Sequence, residues 1–180
     1  MHEELIRELS VITEEEQRIL AGRQEIDQQI YTEKKEMIVD CDKLLQKGKL
    51  IQVRPHTRFV HFPEHRHNYI EVIYMCQGTT THIINGNRIL LKAGELLFLN
   101  QNAVQEILPA GKEDIAVNFI VLPEFFDTAF SMISGEENML KTFLVDALCG
   151  KDGETSYLHF HVADILPVQN LVENMVWTIF

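Results

Sequence analysis

The chain has 180 residues, 46% of them hydrophobic, which suits one globular domain with an appendage. A formal charge of −11 and no cluster of Lys and Arg argue against this stretch gripping a phosphate backbone. The charged first thirty residues are neither a signal peptide nor a transmembrane helix, and no apolar run reaches membrane-spanning length. The three cysteines, Cys41, Cys76 and Cys149, are scattered, without a C-x-x-C, as expected of reduced, structural thiols in a cytoplasmic protein.

Residues 1–49 read as a helical, strongly charged extension. Thr13 with Glu16 three positions on makes a capping-box pattern, and Gly22 marks a stop. A second short helical pattern, Cys41–Leu45, ends at Gly48. The expectation is a solvated appendage, with an arm that closes on a ligand as the alternative.

From residue 50 to 122 the texture is β. Leu50–Val53 and Arg58–Phe62 are strand candidates bounded by Pro55 and Pro63, and a long strand is expected from His65 to Gln77. Thr79–Ile84 and Arg88–Leu91 flank Asn85-Gly86, the dipeptide that favours a type I′ hairpin because both turn positions need positive φ. Glu95–Leu99, Gln105–Leu108 and Ile115–Leu122 follow. Short strands at regular spacing mean a sandwich or barrel.

Residues 123–180 turn helical. Pro123 suits a first helical position, and Phe125, Phe126, Ala129, Phe130 and Ile133 form an apolar stripe. Ser134 with Glu137 opens a second helix that runs to Gly150, and Tyr157–Val162 reads as an extra strand. From Asp164, the residues Ile165, Val168, Val172, Met175 and Ile179 keep a three-four spacing, the pattern of a coiled-coil-like dimer seam or of a core-facing stripe. Phe180 ends the chain mid-pattern with no stop signal, so a further part of the natural protein is expected beyond it.

The residues with chemistry concentrate at His65-Arg66-His67 and Glu71. On one uninterrupted strand His65, His67, Tyr69, Glu71, Ile73 and Met75 share a face, which puts two imidazoles and a carboxylate together. Such groups inside a barrel need partners, and a small molecule is the expected one. Asn118 is the single amide in the apolar strand Ile115–Leu122, either bonded to neighbouring backbone or in contact with a ligand. Arg54, His56, Arg58 and His61 read as a solvated basic edge, from which Arg58 could clamp an anionic effector. His159 and His161 repeat the H-x-H spacing without a carboxylate at the matching offset and are taken as ordinary strand residues.

The spacing His65-x-His67, then Glu71, then Gly78 resembles the first cupin motif, and the segment from Gly94 to Gln105 resembles the second. In cupins two histidines and a glutamate of the first motif and a histidine of the second surround a metal. Here Gln105 occupies the fourth ligand's position, Asn100 and Asn102 replace proline and glycine, and Phe59 replaces the leading glycine. His65, His67, Glu71 and Gln105 are thus candidate ligands for a divalent transition metal, although no resident cofactor is the primary expectation.

The order of these features, with Gly94-Glu95-Leu96-Leu97-Phe98-Leu99-Asn100 and Val117-Asn118-Phe119 leading to Pro123, resembles the N-terminal half of AraC-type transcriptional regulators. That resemblance implies a mainly β, cupin-type double-stranded β-helix (a jelly-roll barrel) that binds a small effector such as a sugar or small acid. It further implies helices that form a homodimer, and DNA contact only through a C-terminal helix-turn-helix domain absent from this chain. Ligand-binding residues would be His65, His67, Glu71, Gln105, Asn118 and Arg58. The alternative is a metal-dependent cupin enzyme, an isomerase or dioxygenase.

Overall fold

In the computed structural model, which describes residues 2–33, 36–126 and 155–180, two five-stranded sheets face each other in a jelly roll. The elements run α1 (Glu3–Leu9), α2 (Glu14–Leu20), α3 (Gln28–Tyr31), β1 (Ile38–Val39), α4 (Cys41–Leu44), β2 (Ile51–Pro55) and β3 (Phe62–His67). They continue as β4 (Ile70–Gln77), β5 (Thr79–Ile84), β6 (Asn87–Lys92), β7 (Leu96–Leu99), β8 (Gln105–Ile107) and β9 (Ile115–Val121). After a 3₁₀ turn at Pro123–Phe126 come β10 (Tyr157–Phe160) and α5 (Leu166–Ile179). One sheet has the order β1-β3-β8-β5-β6 and the other β10-β7-β4-β9-β2. The stripe at Ala129, Phe130 and Ile133 and the capping box at Ser134 and Glu137 lie outside the described residues. Among those described, no helix is long and apolar enough to cross a membrane.

Local chemistry explains several boundaries. Asn85 (φ 49°) and Gly86 (φ 81°) both take positive φ, as the hairpin between β5 and β6 demands. The capping box of α2 forms: the Glu16 N–H donates to the Thr13 hydroxyl (3.2 Å) and the Thr13 N–H to the Glu16 carboxylate (2.9 Å). The expected strand at Arg58–Phe62 starts only at Phe62, because Phe59 sits in the left-handed region at φ 69°. That is the conformation for which glycine is suited, and Phe59 holds the position of the cupin motif's leading glycine.

The expected strand from His65 to Gln77 is broken in two. The chain turns at Asn68–Tyr69, so His65 and His67 stay on β3 in one sheet while Glu71 lies at the start of β4, after Ile70, in the other. Asn68 pins the corner: its Oδ1 accepts from the Cys41 N–H (2.8 Å), its Nδ2 donates to Asp40 (3.0 Å), and its carbonyl accepts from Gln101 (2.9 Å). The His/Glu cluster therefore spans the barrel interior instead of decorating one strand.

Both faces of β4 are buried, one against the opposite sheet and one under helices. Ile73 and Met75 pack inside with Ile84, Leu91, Leu97 and Leu99. Ile70, Val72 and Tyr74 point outward and are covered by Leu5 and Leu9 of α1 and Val172 and Val176 of α5. The N-terminal extension is thus part of the folded body, not a solvated appendage. The stripe expected to form a dimer seam has also found a partner within its own chain. Val168, Val172, Met175 and Ile179 lie against this sheet, and Ile165 is left half-exposed ahead of the helix. The physical reason is that β4, β7 and β9 present an apolar outer face, which an amphipathic helix covers at no cost in association entropy.

Candidate functional site

Beside the apolar cluster that holds Tyr31, Val39, Phe62, Tyr69, Ile107 and Ile120 lies a partly open cavity of ≈ 40 Å³, with room for a few waters. β3 contributes His65 and His67, β4 contributes Glu71, and β9 contributes Asn118. Arg54 and Pro55 of β2 and the following His56 form another wall. Tyr31, Val39 and Leu44 close it from the N-terminal extension. This end of the cavity is therefore built by the segment that sequence alone leaves in solvent.

Hydrogen bonds determine which atoms face the space. Asn118 Nδ2 donates to Glu71 Oε1 (2.8 Å), so its Oδ1 is an acceptor, and His56 Nδ1–H donates to that oxygen (2.9 Å). The neutral His56 ring then carries its lone pair on Nε2, a buried atom without a hydrogen-bond partner among the described residues. His65 Nδ1–H donates to the Pro63 carbonyl (2.8 Å). His67 Nδ1 and Glu71 Oε2 are likewise buried and unmatched, and His67 Nε2 stands 3.5 Å from that same Glu71 oxygen. Leaving such groups unmatched costs about 1–3 kcal/mol each.

Burial dominates the electrostatics. It pushes Glu71 up to about 7 from an ordinary value of 4.5, against the opposing pull of the Asn118 amide and Arg54. It drives His65 down to about 4 and holds His56, His67 and His82 below the ordinary 6.5. The site is thus lined by neutral imidazoles and a carboxyl group that changes charge near neutral pH.

Two of the expected ligand residues are engaged elsewhere. Gln105 is fully buried on β8 and uses its amide nitrogen on His82 Nδ1 (2.9 Å), whose Nε2–H in turn donates to Thr80 (2.9 Å). Arg58 is turned away from the cavity into a buried pair with Glu16, at 2.7 Å from Nε and 2.9 Å from Nη2. Its remaining donors go to the carbonyls of Lys112 (3.0 Å), Ser10 (3.2 Å) and Val11 (3.4 Å). Burial alone would raise the Glu16 carboxyl, but the Arg58 guanidinium and backbone N–H groups hold it below its ordinary value. Neutralised by Glu16 and absent from the cavity wall, Arg58 is not placed to clamp an effector there. It fastens α2 to the barrel.

The donors expected for a metal do not fit one as they stand. His65, His67 and Glu71 do not bring three ligand atoms within 4.8 Å of one another, and Gln105, held on His82 by its amide nitrogen with Oε1 left unmatched, does not line the cavity. His56 and His82 were missed as buried members of the cluster. For His82 the signal was available, since Thr80, His82 and Ile84 alternate onto the buried face of β5. For His56 there was none: among Arg54, Arg58 and His61 it reads as a polar edge, yet it is buried while His61 is exposed.

Residues 51–131 match the family model of the AraC-like ligand binding domain. The matched stretch contains the whole sequence from β2 to β9, and with it most of the cavity wall. Among solved structures, an apo variant of ToxT from Vibrio cholerae is similar at 12% identity with a TM-score of 0.54. The match covers 74% of this chain and 49% of that one, so this chain spans about half of that ToxT chain's length. Wild-type ToxT from the same species with an unsaturated fatty acid bound is matched at 13% identity, TM-score 0.47, over 69% of this chain and 45% of that one. A cupin protein from Bacteroides fragilis is matched at 18% identity, TM-score 0.34, over 50% and 71%. At 12% identity the likeness to the apo ToxT variant speaks to the fold alone. None of the curated proteins compared matches the chain.

Proposed function

We propose that this chain is the effector-sensing part of a cytoplasmic AraC-type transcriptional regulator, which binds a small molecule in the AraC-like barrel and turns over no substrate. The single observation that carries this function is the set of unmatched buried atoms, His56 Nε2, His67 Nδ1 and Glu71 Oε2, around one cavity. His56 Nε2 can only accept, and Glu71 accepts when ionised, so the complementary ligand offers hydrogen-bond donors. Hydroxyl groups suit this site better than carboxylates, which would meet Glu71 across a few ångströms. Of the sugars and small acids expected from sequence, the neutral polyhydroxylic class is therefore favoured. A molecule of that size enters when the wall formed by Tyr31, Val39 and Leu44 moves outward, which couples occupancy to the N-terminal extension.

DNA contact would come from a domain outside this chain. Homodimerisation would have to use a surface other than the Val168–Val172–Met175 stripe, which lies against the chain's own sheet.

A thermal-shift screen of sugars, polyols, short alcohols and small acids tests the function directly. The expected result is a stabilising hydroxylic compound whose effect disappears in His56→Leu and Glu71→Leu, each of which keeps a cooperative unfolding transition. Equal stabilisation of wild type and both variants would move the binding site elsewhere, and a panel without any stabilising compound would overturn the sensing function.

A further inference from the structure

Outside the cavity, the structure unites three side chains that lie far apart in sequence. His159 and His161 project from β10 and the residue after it, and Glu95 lies at the turn that leads into β7. Glu95 Oε2 is 2.9 Å from His159 Nε2, and Glu95 Oε1 is 2.7 Å from His161 Nδ1. A ligand atom of each lies within 4.8 Å of the other two. We infer that Glu95, His159 and His161 form a binding site for a divalent transition-metal ion, distinct from the effector cavity.

Two imidazoles and a carboxylate are the donor set favoured by zinc and its neighbours in the first transition row. Ligands at about 2.0–2.1 Å from a zinc ion stand about 3.3 Å apart along a tetrahedral edge, so the two Glu95–histidine spacings need to open by about half an ångström. The supporting contacts are also those of a metal site. The Lys92 N–H donates to Glu95 Oε2 (2.9 Å) and fixes the carboxylate's orientation. Glu95 and His159 are largely buried, whereas the His161 side chain is 71% exposed, which leaves an entry path and room for water as a further ligand. The two rings lie with centroids 4.1 Å apart, tilted by 47°, and present their nitrogens to the same carboxylate.

The location gives the ion something to control. β10 is a four-residue edge strand paired with β7, and it leads through Val162 into α5. Gln169 of α5 donates to the carbonyls of Gly94 (2.9 Å) and Val162 (2.8 Å), and its Oε1 accepts from Tyr74 (2.5 Å). An ion bound by Glu95, His159 and His161 would therefore staple β10 to the β6–β7 turn on which α5 is docked. It would stiffen the exit of the chain from the barrel whether or not an effector occupies the cavity.

The test uses tag-free chain stripped with chelator and then titrated with Zn²⁺, and with Co²⁺ as a spectroscopic probe. The expected result is one ion per chain, visible ligand-field absorption with Co²⁺, and a melting temperature that rises by several degrees with Zn²⁺. His161→Ala, an exposed position that leaves the fold intact, should lose the absorption and the thermal shift together. His67→Leu in the cavity should retain both. Stoichiometric uptake that survives His161→Ala but is lost in His67→Leu would relocate the ion to the barrel interior. Absence of uptake by wild type at tenfold excess over protein would leave only a hydrogen-bonded cluster. Either result overturns the site.

Discussion

Two buried polar clusters sit a few residues apart in this chain and differ in how completely their members are matched. The Arg58–Glu16 pair is closed: Arg58 donates to both carboxylate oxygens and to three carbonyls, and Glu16 also caps its own helix. The cavity cluster is open, because His56, His67 and Glu71 each keep an atom unmatched toward the same space. Both are desolvated, so burial alone does not distinguish structural glue from a reception site. The number of unmatched atoms and the direction they face do.

Breaking the closed cluster should have the largest effect. Arg58→Ala leaves Glu16 as an uncompensated buried charge and should destabilise the chain by about 3–5 kcal/mol in urea unfolding. Pairing it with Glu16→Leu should recover most of that loss. Failure of the double variant to recover would mean that Arg58 matters through the Ser10 and Lys112 carbonyls instead of the ion pair.

The open cluster should reveal itself through pH. The carboxyl of Glu71 is raised from 4.5 to about 7, so the folded chain holds a proton that the unfolded chain releases. Its contribution is fully present below pH 4.5 and is lost as pH rises through 7, an upper bound of about 3.5 kcal/mol at ~1.4 kcal/mol per pH unit. Glu71→Gln removes that loss. The variant should match wild type near pH 5 and exceed it in stability at pH 8, and a difference independent of pH would show that Glu71 does not titrate in this range. His65, lowered from 6.5 to about 4, acts in the opposite sense: stability falls as pH drops from 6.5 toward 4, and both proteins should share that acid limb.

The smallest effect sharpens the contrast most. His67→Leu replaces an unmatched buried imidazole by an apolar side chain of similar size and should stabilise the ligand-free chain by about 1 kcal/mol while abolishing effector binding. A similar apolar replacement of Arg58 alone stabilises nothing. If His67→Leu destabilises by more than about 1 kcal/mol, the ring has a structural role and the cavity is no reception site.

Much of the barrel was legible from local rules. Asn85-Gly86 demanded its hairpin and Thr13 and Glu16 their capping box, because each depends on residues close in sequence, and alternation gave the first four residues of the strand expected over Tyr157–Val162. His65, His67 and Glu71 were also recognisable as one polar cluster, even though the strand thought to hold them is broken at Asn68. A corner whose hydrogen bonds come from Asp40, Cys41 and Gln101 leaves no trace in its own alternation. The departures from cupin spacing acquire physical reasons in the fold. Asn100 stands where proline is usual because its N–H donates to the Ser156 carbonyl (3.0 Å) and its Nδ2 to that of Thr155 (3.0 Å), holding β10 in place.

By itself, the sequence determined a mainly β body with a polar interior and an amphipathic C-terminal helix, since periodicity and turn chemistry act within a few residues. Only the tertiary structure decided what each polar group meets. It gave Arg58 to Glu16, Gln105 to His82 and the Val172 face to the barrel's own sheet, and it brought Glu95 to His159 and His161 across 64 and 66 positions. Partner choice for a buried charge or an apolar face depends on which surfaces the folded chain brings within about 3–4 Å, and alternation along a strand carries no information about that.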